Sequence, residues 1–320
     1  MSVMIGSELS QFAQDVAAGF STAGNRKIAP RYFYDDLGSA LFEAITLLPE
    51  YGLTRADERL LRAHARDISR RVGKLRTVAE LGSGSGKKTL PILNAILQDN
   101  PQLTYRPIDV SMAALVACER EIRNSCEVKP VCNDWLGGLA EIAKQRDRCY
   151  PLLLLFLGSS IGNLDREIIP DFFRDLRSHL LPGDFFLLGV DLVKDIDKMI
   201  AAYDDPTGVT AAFNLNLLGR MNRELQAAFD LRTFAHEVRW NSEERRIEMH
   251  LLSCRDQNVF IGVLDTEYHF DAGETIWTES SHKFTEEELN GFAQENGFST
   301  VVTWVDGEWP FAETLWQVTG

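Results

Sequence analysis

The sequence predicts a doubly wound α/β protein whose parallel sheet is interrupted late by a helix-plus-antiparallel-strand insertion. Three observations carry this expectation. Between Thr77 and Val190, short apolar runs alternate with helical stretches, the rhythm of βαβ units. The run Pro151–Leu157 is apolar along its length, as expected for a central strand covered on both faces. From Lys194 the pattern changes to a helical stretch followed by short strand-like runs separated by turns.

Taken in order, Leu9, Phe12, Val16 and Phe20 form a helical spacing within residues 1–25. A dense aromatic and acidic segment follows, Pro30-Arg31-Tyr32-Phe33-Tyr34-Asp35-Asp36-Leu37-Gly38-Ser39. Thr54 with Asp57 reads as an approximate capping box opening a helix to about Ser69. Strands are expected at Thr77–Leu81, Thr104–Val110, around Lys129–Cys132, at Pro151–Leu157 and at Asp184–Val190. Helices are expected at Lys87–Gln98, Met112–Asn124 and Asp165–Leu180. Lys194–Leu231 reads as largely helical. An antiparallel meander is then expected from Ala235–Trp240, Arg246–Leu252, Val259–Phe270 and Ile276–Phe284. Thr285-Glu286-Glu287-Glu288 opens a helix with a capping box, ending near Gly297. Thr300–Val305 and Leu315–Thr319 would complete the core sheet. The expected partition is a core of residues 60–193 and 285–320, with residues 1–59 and 194–284 as a substrate-binding lid.

Charge narrows the partners. The 320 residues hold 33 Lys+Arg and 47 Asp+Glu, a net charge of −14. Nucleic acid and anionic membrane both need a basic footprint, so a small-molecule substrate is favoured over either. No stretch approaches the roughly 20 apolar residues of a membrane span. Met1 to Gln11 lacks the basic and apolar regions of a secretory signal, so the cytoplasm is the expected compartment. The five cysteines show no CxxC pair and read as free thiols in a reducing compartment. The six histidines show no HxH or HExxH spacing, so no metal site is expected. The expected state is a monomer.

The most informative stretch is Val78-Ala79-Glu80-Leu81-Gly82-Ser83-Gly84-Ser85-Gly86. Gly82 and Gly84 allow a tight turn and close approach of backbone to a ligand. A phosphate loop would need a glycine at position 81, which is Leu81. A dinucleotide turn would need one at 87 or 89, which are Lys87 and Thr89. What remains is acid-x-G-x-G-x-G, the pattern of the methyltransferase branch of doubly wound, Rossmann-like folds. It implies S-adenosylmethionine, with Glu80 near the cationic methionine amine and Ser83 within the turn. Asp109, at the end of the second strand, could accept both ribose hydroxyls, or be a simple turn aspartate. Asn133-Asp134-Trp135 could meet an adenine through a polar group and an aromatic ring, or be a plain turn.

Other segments narrow the substrate. Tyr32-Phe33-Tyr34-Asp35, Gly38-Ser39 with Leu41-Phe42, Leu48-Pro49-Glu50-Tyr51 and Thr54-Arg55 resemble one family. So do Phe156-Leu157-Gly158-Ser159-Ser160-Ile161-Gly162-Asn163, Asp191-Leu192-Val193-Lys194-Asp195 and Ala202-Tyr203. That family is the histidine Nα-methyltransferases of ergothioneine biosynthesis, and the resemblance runs from about residue 25 to the C-terminus. It implies that Glu80, Gly82, Gly84, Lys88, Asp109, Asp134 and Trp135 surround the cofactor. It implies that Tyr34, Tyr51, Asn163 and Tyr203, with Gly158, hold the amine and carboxylate of L-histidine. Tyr51, Asn163 and Tyr203 would orient the amine for transfer. Glu279 and Ser281 would read the imidazole, with Met249 beside it. Trp135 stands where some members carry Phe. Members of the wider family methylate other amino-acid-like substrates, including tryptophan derivatives.

The residues allow competing readings. Glu279 and Ser281 are two apart on an expected strand and so share a face. A carboxylate and a hydroxyl there can pair with two ring nitrogens, but Lys283 on that face would also suit an exposed strand. Met249 shares a face with Ile247 and Leu251, a core pattern. Tyr34, Tyr51 and Tyr203 could each be packed aromatics. The functional expectation is S-adenosylmethionine-dependent methylation of the histidine α-amine, up to trimethylated hercynine. The alternatives are N-methylation of another aromatic amino acid, such as tryptophan or a derivative, and a catalytically idle ligand-binding domain.

Overall fold

A computed structural model describes residues 2–320, with side chains from Gln11 onward. Met1 and the side chain of Leu9, expected on the apolar face of the first helix, lie outside the described residues. In chain order the elements begin α1 (Ser2–Phe20), β1 (Arg26–Lys27), α2 (Asp36–Thr46), α3 (Gly52–Val72), β2 (Thr77–Leu81), α4 (Leu90–Leu97), β3 (Thr104–Asp109) and α5 (Met112–Ile122). There follow β4 (Glu127–Val128), β5 (Val131–Cys132), α6 (Trp135–Gln145), β6 (Leu152–Phe156), α7 (Ile169–Ser178) and β7 (Phe185–Asp191). The chain continues through α8 (Ile196–Tyr203), α9 (Val209–Glu224), β8 (Phe234–Asn241), β9 (Arg246–Ser253), β10 (Gln257–Ile261), β11 (Thr266–Phe270) and β12 (Thr275–His282). It closes with α10 (Glu286–Glu295), β13 (Phe298–Val305) and β14 (Phe311–Val318).

Two compact units form. One contains the residues up to Gly52 together with Lys194–Ser281; the other contains Leu53–Val193 and His282–Gly320. Residues 53–59 belong to the second unit because α3 starts at Gly52 and runs unbroken into it.

The second unit holds a sheet in the order β13-β14-β7-β6-β2-β3-β4, with β5 also on β3. β2 pairs in parallel with β3 and β6, and β6 pairs in parallel with β7; β14 runs antiparallel to β7. The order runs outward from β2 through β3 and β4, then restarts at β6 on the other side. That reversal places a topological switch point at the carboxyl ends of β2 and β6, where doubly wound sheets bind ligands. The all-apolar β6 feeds both faces by the period-two alternation of a strand. Leu152, Leu154 and Phe156 pack with Phe172, Phe173 and Trp316, while Leu153 and Leu155 pack with Leu61, Ile92 and Leu93.

Several expectations need correction here. Thr54 and Asp57 are not a capping box: α3 begins at Gly52, so Thr54 lies within its first turn, and Asp57 is fully buried. The third strand is two short pieces, β4 and β5. α7 opens at Ile169, with Pro170 in its first turn, rather than at Asp165. α6 had no counterpart in the sequence reading. Gly137-Gly138 weakens its helical pattern, yet glycine is required there: a Cβ on Gly138 would stand 2.5 Å from Ile108 Cγ2. The α10 capping box is present as expected between Thr285 and Glu288.

The first unit holds a four-stranded sheet in the order β1-β12-β9-β8 and a separate hairpin, β10-β11. The expected strand Val259–Phe270 is therefore two strands, broken by a turn with Asp265 at φ 47°. The expected meander fails for the same reason: the hairpin leaves the sheet, and β12 takes the place beside β9. Phe12 stacks on Tyr32 at 4.2 Å and Phe33 on Phe213 at 4.5 Å, so α1, the aromatic segment and α9 share one core. Among the described residues, no helix is long and apolar enough to cross a membrane.

Candidate active site

In the second unit the glycine turn leaves β2 with φ of 66° at Gly82, 52° at Gly84 and 71° at Gly86. These are left-handed values that side chains resist. The Gly84 N–H donates to Asp109 Oδ2 at 3.1 Å, joining the ends of β2 and β3. Among the described residues, none beyond its chain neighbours comes within 4 Å of where a Gly84 Cβ would be, so the turn opens onto free space there. A Cβ on Gly82 would meet Trp135 Nε1 at 3.3 Å. The ends of β2, β3 and β5 thus contribute Gly82, Gly84, Asp109 and Trp135 to one place. Trp135 packs edge-on against Phe156 at 4.8 Å. Asp134 is the N-cap of α6, accepting from the Gly137 N–H at 2.7 Å, a role distinct from the adenine contact expected of it. Burial raises Asp109 above its ordinary range, against the N–H groups of Ser111 and Gly84 that favour its charge.

Beneath the turn lies a charged cluster. Glu80 is fully buried; its Oε2 accepts from Thr89 Oγ1 at 2.7 Å and from the Tyr105 hydroxyl at 2.5 Å. Its other oxygen, Oε1, is buried with no hydrogen-bond partner among the described residues. Burial pushes the Glu80 carboxyl up to about 7, although the Tyr105 hydrogen bond and the Lys88 charge oppose the rise. Lys88 Nζ lies 3.0 Å from Asp57 Oδ2. Burial alone would lower Lys88, but the charges of Asp57 and Glu80 prevail and raise it. Glu313, on β14, is also buried, and among the described residues no donor reaches either of its oxygens. Burial and the Asp57 charge hold its carboxyl well above the usual range. Ser83 is buried within the turn. Gly158 has φ 73°, a left-handed value that side chains resist, and a Cβ there would stand 2.6 Å from Lys88 Nζ. Asn163 ends a short 3-10 turn, Ser160–Asn163, beyond the carboxyl end of β6.

The acid, glycines and Asp109 fit a cationic nucleoside such as S-adenosylmethionine. The orphaned buried Glu80 oxygen suits a cation, and the open turn suits a neutral nucleoside. Asp57, Thr89, Tyr105 and Glu313 were missed from the sequence. Asp57 carried a signal, since it falls in register with Leu53, Ala56, Leu60 and Leu61 on the buried side of α3. Glu313 carried a weaker one, as an acid inside the apolar run Phe311–Trp316.

In the first unit the structure links most of the residues expected to hold an amino acid. The Tyr203 hydroxyl donates to Ser281 Oγ at 2.7 Å, joining α8 to β12. Tyr51 and Tyr203 lie edge to face at 6.0 Å. Tyr34 packs against Phe42 at 5.7 Å, and Phe42 packs against Tyr51 at 6.4 Å. Glu279 and Ser281 sit two apart on β12, which is interior to its sheet, and Ser281 is buried. The exposed-face reading of this strand fails, because Lys283 is fully buried and lies 3.0 Å from Asp191 Oδ2. Met249 is buried with Ile247 and Leu251, and its carbonyl accepts from Thr278 Oγ1 at 2.9 Å.

Comparison with known proteins agrees with this geometry. The family described as "Histidine-specific methyltransferase, SAM-dependent" matches residues 12–318. The chain is 40% identical over 305 residues to the histidine N-alpha-methyltransferase of Mycobacterium tuberculosis, covering 94% of this chain and 93% of that protein. It is 41% identical over 305 residues to the enzyme of the same name from Mycolicibacterium smegmatis, with the same coverage of 94% and 93%. It is 30% identical over 298 residues to ergothioneine biosynthesis protein 1 of Neurospora crassa, covering 89% of this chain and 32% of that protein. With a match along nearly its whole length, the chain belongs to the family of histidine-specific, S-adenosylmethionine-dependent methyltransferases.

Proposed function

We propose that the protein methylates the α-amine of L-histidine, up to the trimethylated product hercynine, as a cytoplasmic monomer acting on a small molecule. The observation that carries the substrate assignment is the Tyr203–Ser281 hydrogen bond, which joins an amine-end residue to an imidazole-end residue within one unit. A hydroxyl that accepts a hydrogen bond keeps its own hydrogen as a donor, so Ser281 can present O–H to one imidazole nitrogen. Glu279, two residues earlier on β12, can accept from the other ring N–H. Met249 supplies an apolar contact beside them.

Tyr51, Asn163 and Tyr203 orient the amine, and Tyr34 and Gly158 complete the contacts to the amino-acid end. Glu80, Gly82, Ser83, Gly84, Lys88, Asp109, Asp134 and Trp135 would hold S-adenosylmethionine. That molecule, when bound, supplies a methyl group on a cationic sulfur. The protein's own work is positional: it holds the neutral amine in line and keeps water out. No side chain need form a covalent bond. Histidine offers this pair one ring N–H and one acceptor nitrogen, whereas tryptophan offers a single N–H and no acceptor, a difference that a site built to hydrogen-bond its substrate rejects strongly.

Incubation with isotopically labelled S-adenosylmethionine and each of the twenty amino acids tests this reading. Label is expected on histidine alone. Preferential labelling of tryptophan, or no labelling of any amino acid, would refute it.

A further inference from the structure

Tyr203 is the last residue of α8, so its carbonyl has no intrahelical donor. His236, on β8, supplies one: its Nε2 lies 2.8 Å from the Tyr203 carbonyl oxygen. The other ring nitrogen, Nδ1, lies 2.9 Å from Asn214 Nδ2 on α9. Asn214 is fully buried, and its Nδ2 also donates to the His250 carbonyl at 3.0 Å. That second bond fixes the amide, because turning it over would set the Asn214 oxygen against the His250 carbonyl oxygen. An amide nitrogen only donates, so Nδ1 must accept, and the ring proton must reside on Nε2. Geometry alone therefore selects one tautomer of neutral His236.

Protonation would place a second N–H at Nδ1, facing the Asn214 donor. Burial lowers His236 below its ordinary 6.5, and the Tyr203 carbonyl and the charges of Asp204 and Asp205 only partly oppose this. Glu237 and Arg239 on its own strand pair with each other. On β9, His250 and Glu248 pair likewise. On α9 the group packed against the ring is the uncharged Asn214.

We propose that His236 is a positioning residue for the amino-acid substrate. As the neutral Nε2–H tautomer it fixes the end of α8, and so the angle at which the Tyr203 hydroxyl meets Ser281. Asn214 is the group that enforces the tautomer. The inference rests on Tyr203 and Ser281 holding the substrate.

The test compares wild type, His236→Gln, His236→Ala and Tyr203→Phe, each checked by thermal melting, for kcat and KM between pH 5.5 and 8.5. His236→Ala is expected to raise the KM for histidine about tenfold at pH 8, the scale of one lost hydrogen bond. Its kcat should change less, and the KM for S-adenosylmethionine should stay constant. His236→Gln can donate to the Tyr203 carbonyl and accept from Asn214 but cannot titrate. It should restore most of the affinity and lack the rise in KM that wild type shows at the acid end of the range, where a histidine lowered by burial takes up its proton. If Tyr203→Phe raises KM but His236→Ala does not, the positioning role is wrong and the site assignment stands. If Tyr203→Phe leaves KM unchanged, the site assignment itself fails. A wild-type KM–pH profile identical to that of His236→Gln would overturn the tautomer argument even if His236→Ala fails to fold.

Discussion

The Lys88 ammonium lies 3.0 Å from Asp57 Oδ2, and the Asp57 side chain is fully buried. Asp57 Oδ1 has no hydrogen-bond donor among the described residues, and the acids Glu80 and Glu313 also act on Lys88. One ammonium thus lies among three buried acids, two of which, Glu80 and Glu313, burial shifts toward the neutral form. Asp57→Asn removes the only carboxylate in direct contact with Lys88 among the described residues. The substitution removes the direct contact but leaves Lys88 the charges of Glu80 and Glu313, so a loss of about 1–2 kcal/mol is expected, less than for a fully broken buried pair. Urea unfolding of the two proteins measures it.

Glu80 links cofactor binding to pH. With its carboxyl raised from 4.5 to about 7, its contribution to stability is fully present below the lower value and is lost as pH rises through the upper one. A cationic ligand reverses the preference and favours the carboxylate. Affinity for S-adenosylmethionine should therefore increase as pH rises through about 7. One linked proton gives about a tenfold change between pH 6 and 8. Calorimetric titration should show this slope in wild type and its absence in Glu80→Gln.

Asp109 accepts from the Gly84 N–H with Oδ2 and from the Ser111 N–H with Oδ1 at 2.9 Å. It closes the turn and, on the proposed reading, also meets the ribose. Asp109→Ala should weaken S-adenosylmethionine binding by about a hundredfold, the value of one or two charge-assisted hydrogen bonds. Equilibrium binding would check this, with a circular dichroism spectrum to confirm the fold.

The turn glycines should differ in cost. A Cβ on Gly86 would stand 2.7 Å from both Cys118 Sγ and Ile122 Cδ1, whereas one on Gly84 would meet nothing within 4 Å. Gly84→Ala therefore costs only backbone strain, about 1–2 kcal/mol. Gly86→Ala adds overpacking, for a total of about 3 kcal/mol. Thermal unfolding should rank wild type above Gly84→Ala, and Gly84→Ala above Gly86→Ala.

Glu279→Ala is expected to reduce kcat/KM for histidine by about a hundredfold or more while leaving cofactor affinity unchanged. The scale is that of a site built to hydrogen-bond its substrate. Unchanged kcat/KM would remove Glu279 from the site.

Local spacing made much of this legible in advance. The acid, the glycines and Asp109 lie on consecutive strand ends, so their convergence follows from βαβ topology alone. Asp57 was hidden because Thr-x-x-Asp imitates a helix cap, while its actual environment is set by Lys88, just ahead of α4, and by Glu313 on β14, both distant in sequence. α6 was hidden because Gly137-Gly138 lowers helix propensity, though Gly138 is needed for its approach to Ile108. Lys283 suggested an exposed strand until Asp191, far upstream, proved to be its partner. His236 gave no signal, since its tautomer depends on Asn214 and Tyr203 from two other elements.

The central claim concerns which atom receives the methyl group. Tandem mass spectrometry of the product from histidine and methyl-labelled S-adenosylmethionine tests it most directly. The expected result is label confined to the α-nitrogen, reaching three methyl groups at long incubation. Label on an imidazole nitrogen alone would contradict the account.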